Sequence, residues 1–216
     1  MHVSVVLDRS GSMESLGSDT IGGFNTFLND QKGGIGKCTF SMVQFDTEYE
    51  VLHTFKEIKD ISDLTDRTFM PRGMTALLDA IGRAVVTAGE ELSKMKEEDR
   101  PGKVLFVIIT DGMENSSREY THEKISEMIK HQEEIYKWKF VFLAANQDAI
   151  LTGASIGIQC GNTLSFAATD VGVSTVYNTV SSKLKNFRDL TSEMYSSVDT
   201  FTVEDRKEQD ELINKK

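Results

Sequence analysis

Basic residues are in short supply: 24 Lys and Arg stand against 34 Asp and Glu, a formal net charge of −10. So acidic a chain does not hold nucleic acid or an anionic membrane through its overall field. The same charge could attract cations or a basic partner, or serve solubility alone. Proline is nearly absent, 2 in 216 residues, so no Pro-rich linker divides the chain. This length suits one domain, or one with a tail, and buries a sizeable core without disulfides or a structural metal. Cys38 and Cys160 are too few for a disulfide framework and read as buried or half-buried thiols. No apolar run approaches the roughly 18 residues of a membrane span. The opening run 3–7 is too short for an export signal and has no basic start, so the cytoplasm is the expected compartment. His2, His53, His122 and His131 show no metal-ligand spacing, and the last two read as exposed.

What is present is ordinary for a globular protein, 39% apolar and 27% charged. Residues 3–7, 104–109 and 140–145 are near-continuous apolar runs, which mark strands covered on both faces. Between them lie helical patterns with one apolar face. One is Ile21, Phe24, Phe27 and Leu28. A second is Leu77, Leu78, Ile81, Ala84, Val85, Ala88, Leu92 and Met95. A third is Ile125, Met128, Ile129, Gln132 and Ile135, in which Gln132 breaks the apolar face. The fourth is Val173, Val176, Tyr177, Val180, Leu184 and Phe187. Residues 38–45 and 49–55 read as strands joined through Asp46, Thr47 and Glu48, a connection so short that it requires an antiparallel hairpin. Residues 162–166 read as a last short strand. Strands alternating with helices give an α/β sheet with one antiparallel edge. From about residue 198 the chain is rich in Glu, Asp and Lys and shows no core face. We read 1–190 as the domain and 191–216 as a charged C-terminal tail, helical or disordered.

The first strand runs into Asp8-Arg9-Ser10-Gly11-Ser12-Met13. Asp8, Ser10 and Ser12 alternate, so an extended or looping backbone can point all three the same way. Hydroxyls beside a carboxylate are hard oxygen ligands, suited to Mg²⁺, Mn²⁺ or Ca²⁺ rather than to the N/S preference of zinc. The same serines would also serve to cap a helix or close a turn. Two further features bear on the choice. The 104–109 strand ends in Thr110-Asp111-Gly112, and the loop 71–75 delivers Thr75 as the second helix begins. Taken alone, Thr75 is a helix cap and Asp111 a turn residue. If the strands before Asp8 and Asp111 are neighbours at the reversal of strand order, the two carboxylates meet where open α/β sheets bind ligands.

Asp8-x-Ser10-x-Ser12, then Thr75, then Asp111 in Thr-Asp-Gly resembles the metal-ion-dependent adhesion site of von Willebrand factor A domains. The likeness extends from Val3 to about Phe187 and includes the order of elements. The text around Asp8 and Asp111 looks like that of the compact bacterial and phage members. The resemblance implies a doubly wound, mostly parallel six-stranded sheet of order 3-2-1-4-5-6, with helices on both faces. It implies that Ser10 and Ser12 hold the cation directly, Thr75 directly or through water, and Asp8 and Asp111 largely through water. It further implies an open coordination position that takes an Asp or Glu carboxylate from a protein partner. Family members in bacteria often work beside ring-forming ATPases or in stress-response or phage operons, so the resemblance puts an ATPase or another operon neighbour among the partner's candidates. That strand order sets the strands after Cys38 and Cys160 four places apart, about 19 Å at ~4.8 Å per strand, too far for a disulfide.

Arg9, Arg72, Glu114 and Asn115 are candidate rim residues, with Ser116 beside them. The two arginines also read as ordinary surface charge, and Asn115 as a residue that closes its loop. The alternative function is a Mg²⁺-dependent hydrolase of phosphate esters. Phosphoryl transferases built on a strand-end aspartate commonly place a second carboxylate two positions on, where this chain has Ser10. No G-x-x-x-x-G-K-[ST] phosphate loop is present, and Gly33-Gly34-Ile35-Gly36 precedes a strand rather than a helix. The sequence therefore reads as a binding module with no catalytic residues.

Overall fold

The computed structural model describes residues 1–145 and 148–214. Its sheet contains β1 (His2–Asp8), β2 (Thr39–Phe45), β3 (Tyr49–Glu57), β4 (Val104–Thr110), β5 (Lys139–Ala145) and β6 (Thr163–Phe166), in the order β3-β2-β1-β4-β5-β6. All pairings are parallel except β2 with β3. Every residue of β1, β4 and β5 is buried, which is why these strands are written without polar alternation. β3 is the antiparallel edge, with no fully buried residue, and its exposed positions include Glu50, Lys56 and Glu57. Charge there discourages pairing with another chain.

Helices cover both faces. The helices α1 (Gly17–Lys32) and α5 (Asp170–Asp189) lie on one side, where Phe24, Phe27, Val176 and Leu184 pack with Val3, Val5 and Leu7 of β1. On the other, Ile81 and Val85 of α2 (Leu77–Lys94) and Ile125 and Ile129 of α3 (His122–Tyr136) pack with Val6, Phe106 and Ile108. A short helix α4 (Ala149–Ser155) follows β5. The chain reverses its winding between β1 and β4, and register pairs Leu7 with Ile109. Asp8 and Thr110 therefore end neighbouring strands at the carboxyl edge of the sheet, the position where such sheets bind ligands.

The structure differs from the sequence reading in three places. Ile135 is 60% exposed, because the buried face of α3 is carried by Ile125 and Ile129 alone. The acidic α7 (Val203–Ile213) and the short α6 (Ser192–Ser197) do have a core side. Tyr195 and Phe201 are buried in the same cluster as Phe187, and Tyr195 donates a hydrogen bond to the Val104 carbonyl (2.7 Å). Gln209 is buried, donating to the Gly172 carbonyl and accepting from the Ala167 amide. Residues 215 and 216 of the expected tail lie outside the described residues. Finally, Cys38 is buried while Cys160 is exposed, and neither forms a disulfide.

Candidate metal centre

The carboxyl end of β1 turns into a 3-10 segment, Gly11–Leu16, and that turn gathers the hydroxyls. Asp8 is fully buried. One of its oxygens accepts from the Ser10 amide at 2.6 Å and the other from the Thr110 hydroxyl. Burial pushes the Asp8 carboxyl up to about 6, against the lowering effect of those hydrogen bonds and with a further push from Asp111. Asp111, at the end of β4, accepts a 2.6 Å hydrogen bond from the Ser12 hydroxyl, and its own acidity is weakened chiefly by burial. The Ser10 and Ser12 hydroxyls are 3.1 Å apart.

Gly112 shows where these groups point. A Cβ at that position would lie 2.7 Å from the Thr75 hydroxyl, 3.1 Å from that of Ser12 and 3.4 Å from that of Ser10. Three hydroxyls from two loops thus converge on one patch of bare backbone, beside two aspartates that burial makes reluctant to ionise. None of the three does the ordinary work of such residues. Ser10 precedes the 3-10 segment without a side-chain cap bond, and α2 starts at Leu77 after Ala76, whose side chain has nothing to cap it with. The amides at the start of α2 are satisfied instead by Glu114 (Leu78 amide, 2.9 Å) and by the Ser117 hydroxyl (Asp79 amide, 3.1 Å). The helix-cap readings of Ser10 and Thr75 therefore do not describe this structure, although the Ser10 backbone closes a turn with Met13.

Candidate rim residues are placed differently. Glu114 is turned away from the hydroxyls, since it also accepts from the Ser116 and Ser117 amides. Asn115 accepts from the Thr75 amide (2.9 Å) and donates its own amide to the Thr75 carbonyl (3.1 Å), so it clamps that residue's backbone. Arg9 is buried, 5% exposed, with its guanidinium on Asp46 (2.9 Å) and Glu50. Arg72 is half exposed and pairs with Asp46 (3.0 Å) and Glu48 (2.7 Å). Both arginines are thus engaged by acids of the β2–β3 hairpin, Asp46 and Glu48 in its turn and Glu50 on β3. Thr110 and Gly112 stand beside Asp111 in the motif but carry no role in that reading, and Asp46 is not picked out by it. Only the pairing of β1 with β4 would have pointed to Thr110.

Among the described residues, no group of three or more His, Cys, Asp or Glu side chains is gathered to hold a metal. The donor set that does converge is hydroxyl oxygen with two carboxylates. It fits a hard divalent cation, for which oxygen donors and retained waters are the norm.

Residues 2–179 match the von Willebrand factor type A domain family. The chain belongs to that family. A comparison with curated proteins returns no match. Among solved structures, proximal thread matrix protein 1 of the mussel byssus is similar, with a TM-score of 0.59 and 15% identity over 85% of this chain and 45% of that one. Another structure of the mussel protein is described as having a zinc-occupied MIDAS motif. The manganese-loaded TRAP protein of Plasmodium vivax is 14% identical, with a TM-score of 0.55, over 81% of this chain and 71% of that one. The pilus adhesin SpaC of Lactobacillus rhamnosus is 12% identical, with a TM-score of 0.63, over 86% of this chain and 30% of that one. The von Willebrand factor A chain described here thus spans less than half the length of the mussel and pilus proteins. At these identities the likeness establishes the shared fold.

Proposed function

We propose that this von Willebrand factor A domain is a divalent-cation-dependent protein-binding module. In this reading Ser10, Ser12 and Thr75 hold the cation through their hydroxyls, and Asp8 and Asp111 hold it through water. Mg²⁺ is the proposed ion, with Mn²⁺ and Ca²⁺ as alternatives. The observation that carries the reading is the convergence of three hydroxyls on Gly112, those of Ser10 and Ser12 bonded to each other and that of Ser12 to Asp111, beside the buried carboxylate of Asp8 and the half-buried one of Asp111. When bound, the cation would supply a positive coordination position for one oxygen of a partner's Asp or Glu. The zinc-occupied MIDAS motif of the mussel protein and the manganese-loaded Plasmodium protein support a divalent ion at such a site.

The surface around the hydroxyls suits a protein partner. Met74 precedes Thr75 and is 51% exposed; Met113 follows Gly112 and is 75% exposed. Unbranched, polarizable methionines adapt to varied apolar surfaces. An acidic residue beside an apolar one would engage both features, and an ATPase or another operon neighbour would be a fitting source. Nothing at the site favours phosphate-ester hydrolysis: the residue two places after Asp8 is Ser10, whose hydroxyl is directed at Ser12.

The test is a melting curve with Mg²⁺, with Mn²⁺ and with EDTA. Free metal a hundredfold above its dissociation constant stabilises by about 2.7 kcal/mol. Equal curves at millimolar metal would reject the cation. A pulldown with Mg²⁺, with EDTA and with a site variant then tests the partner. A protein retained equally in all three binds some other surface.

A further inference from the structure

The Thr75 loop is tied to the Asp8 loop through one buried carboxylate. Asp46 sits in the β2–β3 turn and is 2% exposed. One of its oxygens accepts from Arg9 Nε (2.9 Å) and from Arg72 Nε (3.0 Å); the other accepts from the Glu48 amide (2.6 Å). Arg9 lies between Asp8 and Ser10, and Arg72 lies three residues before Thr75. The two guanidiniums therefore bring both hydroxyl-bearing loops to a single anion.

The backbone repeats the pattern. The Ala76 amide donates to the Asp46 carbonyl (3.2 Å), the Arg72 amide to the Arg9 carbonyl (2.8 Å), and the Gly11 amide to the Gly73 carbonyl (3.2 Å). The Met74 amide donates to the Thr47 hydroxyl (3.0 Å). Gly73 has φ +69°, and a Cβ there would meet the Thr47 hydroxyl at 2.9 Å and Asp46 at 3.4 Å, so the loop is pressed against this turn. Glu50 on Arg9 and Glu48 on Arg72 complete a cluster of two cations and three anions.

We infer that Asp46 is a positioning residue: it sets the separation of the Thr75 hydroxyl from those of Ser10 and Ser12, and thereby the affinity of the site for its cation. This inference rests on the cation reading above. A buried anion shared by two guanidiniums forms charge-assisted hydrogen bonds, and removing it leaves the buried Arg9 with only Glu50 and Gln44 and releases Arg72 from it. Asp46→Asn keeps the shape of the side chain and removes the charge. The loop should loosen where its amides reach the turn, and the hydroxyls should lose their common focus.

The experiment pairs hydrogen exchange of the metal-free chain with Mn²⁺ titration of the same preparation. In Asp46→Asn, the Arg72, Met74 and Ala76 amides should exchange faster without metal, and Mn²⁺ binding should weaken at least tenfold. Arg72→Ala, at a half-exposed position that should not compromise folding, should move both readouts the same way and serves if Asp46→Asn does not fold. Lys94→Ala is the control. It breaks an exposed ion pair with Glu91 at the far end of α2, and should change neither readout. Unchanged exchange, or faster exchange with unchanged Mn²⁺ affinity, overturns the positioning role. A wild-type chain that binds no Mn²⁺ instead overturns the cation reading on which it rests, so the two failures are distinguishable.

Discussion

Gly112 has no side chain at the point where three hydroxyls meet, and that vacancy can be filled by mutation. Gly112→Ala places a methyl 2.7 Å from the Thr75 hydroxyl, closer than real Cβ contacts come. The variant should fold, because the strain falls on an edge loop, and it should lose the metal-induced gain in melting temperature. A full gain in the variant would show that the cation sits elsewhere. Asp8→Asn makes the complementary point. Burial raises the Asp8 carboxyl to about 6, so the folded protein holds this charge at a cost of up to about 3 kcal/mol at neutral pH. The amide keeps an acceptor for the Ser10 amide or the Thr110 hydroxyl and removes the repulsion from Asp111. Its metal-free melting temperature should equal or exceed that of the wild type, with no response to Mn²⁺. An unfolded Asp8→Asn protein would make Asp8 a structural residue.

Glu133, on α3 at the opposite edge of the sheet, gives the pH dependence. Burial raises its carboxyl to about 7, with Glu134 adding to the rise and Lys139 opposing it. A folded-state value above the ordinary 4.5 means the native chain holds this proton more tightly than the unfolded chain. The contribution is fully present below about 4.5 and is lost as pH rises through 7. Glu133→Gln should therefore raise the melting temperature at pH 8 and leave it little changed at pH 4.5. The difference should be of order 1–2 kcal/mol after discounting for partial exposure. An equal effect at both pH values would mean that packing, not charge, is responsible. Sequence reading could not find such a residue, since its acidity depends on what α3 packs against.

At the scale of elements, periodicity identified whatever has one unmixed environment. The buried strands and the faces of α2 and α5 were legible because every residue on them meets apolar neighbours. The Asp8-x-Ser10-x-Ser12 motif was legible because it is local. The Arg9 and Arg72 pairings were not, because they depend on a turn some 26 to 37 residues away in sequence. The last two helices were misread for a related reason. Their core side consists of isolated residues, Tyr195 on α6, Gln209 on α7 and Phe201 in the connection between them, set among charges, so no period appears. The structure nonetheless anchors them firmly. Lys139 donates to the Val198 carbonyl (2.6 Å), and its ammonium lies over the Phe187 and Tyr195 rings. Arg206 donates to the Thr163 carbonyl (2.6 Å) and to that of Cys160. Ending the chain after residue 190 should lower the melting temperature markedly. Phe201→Ala should cost about 3–5 kcal/mol, and Tyr195→Phe about 1–2 kcal/mol through the lost bond to Val104. If the shortened chain melts like the full one, these helices are appendages after all.

At the scale of the whole molecule, charge decides how a partner approaches. The chain carries a formal −10, and both arginines nearest the hydroxyls are engaged by Asp46, Glu48 and Glu50. On the proposed function, an acidic partner would therefore be repelled at long range and attracted only close to the cation, where its carboxylate would enter the coordination shell. Salt screens the first effect far more than the second: at 0.1 M the Debye length is about 10 Å, longer than a coordination contact but shorter than the distance over which net charge acts. Association of the metal-loaded chain with an acidic partner should then accelerate as salt rises from 50 to 300 mM at fixed free metal. Dissociation, governed by the desolvated carboxylate at the ion, should change little. Stopped-flow mixing with the captured partner measures both rates. An association rate that falls steeply with salt would identify a basic partner drawn by the acidic surface, and the carboxylate would then have no part in recognition.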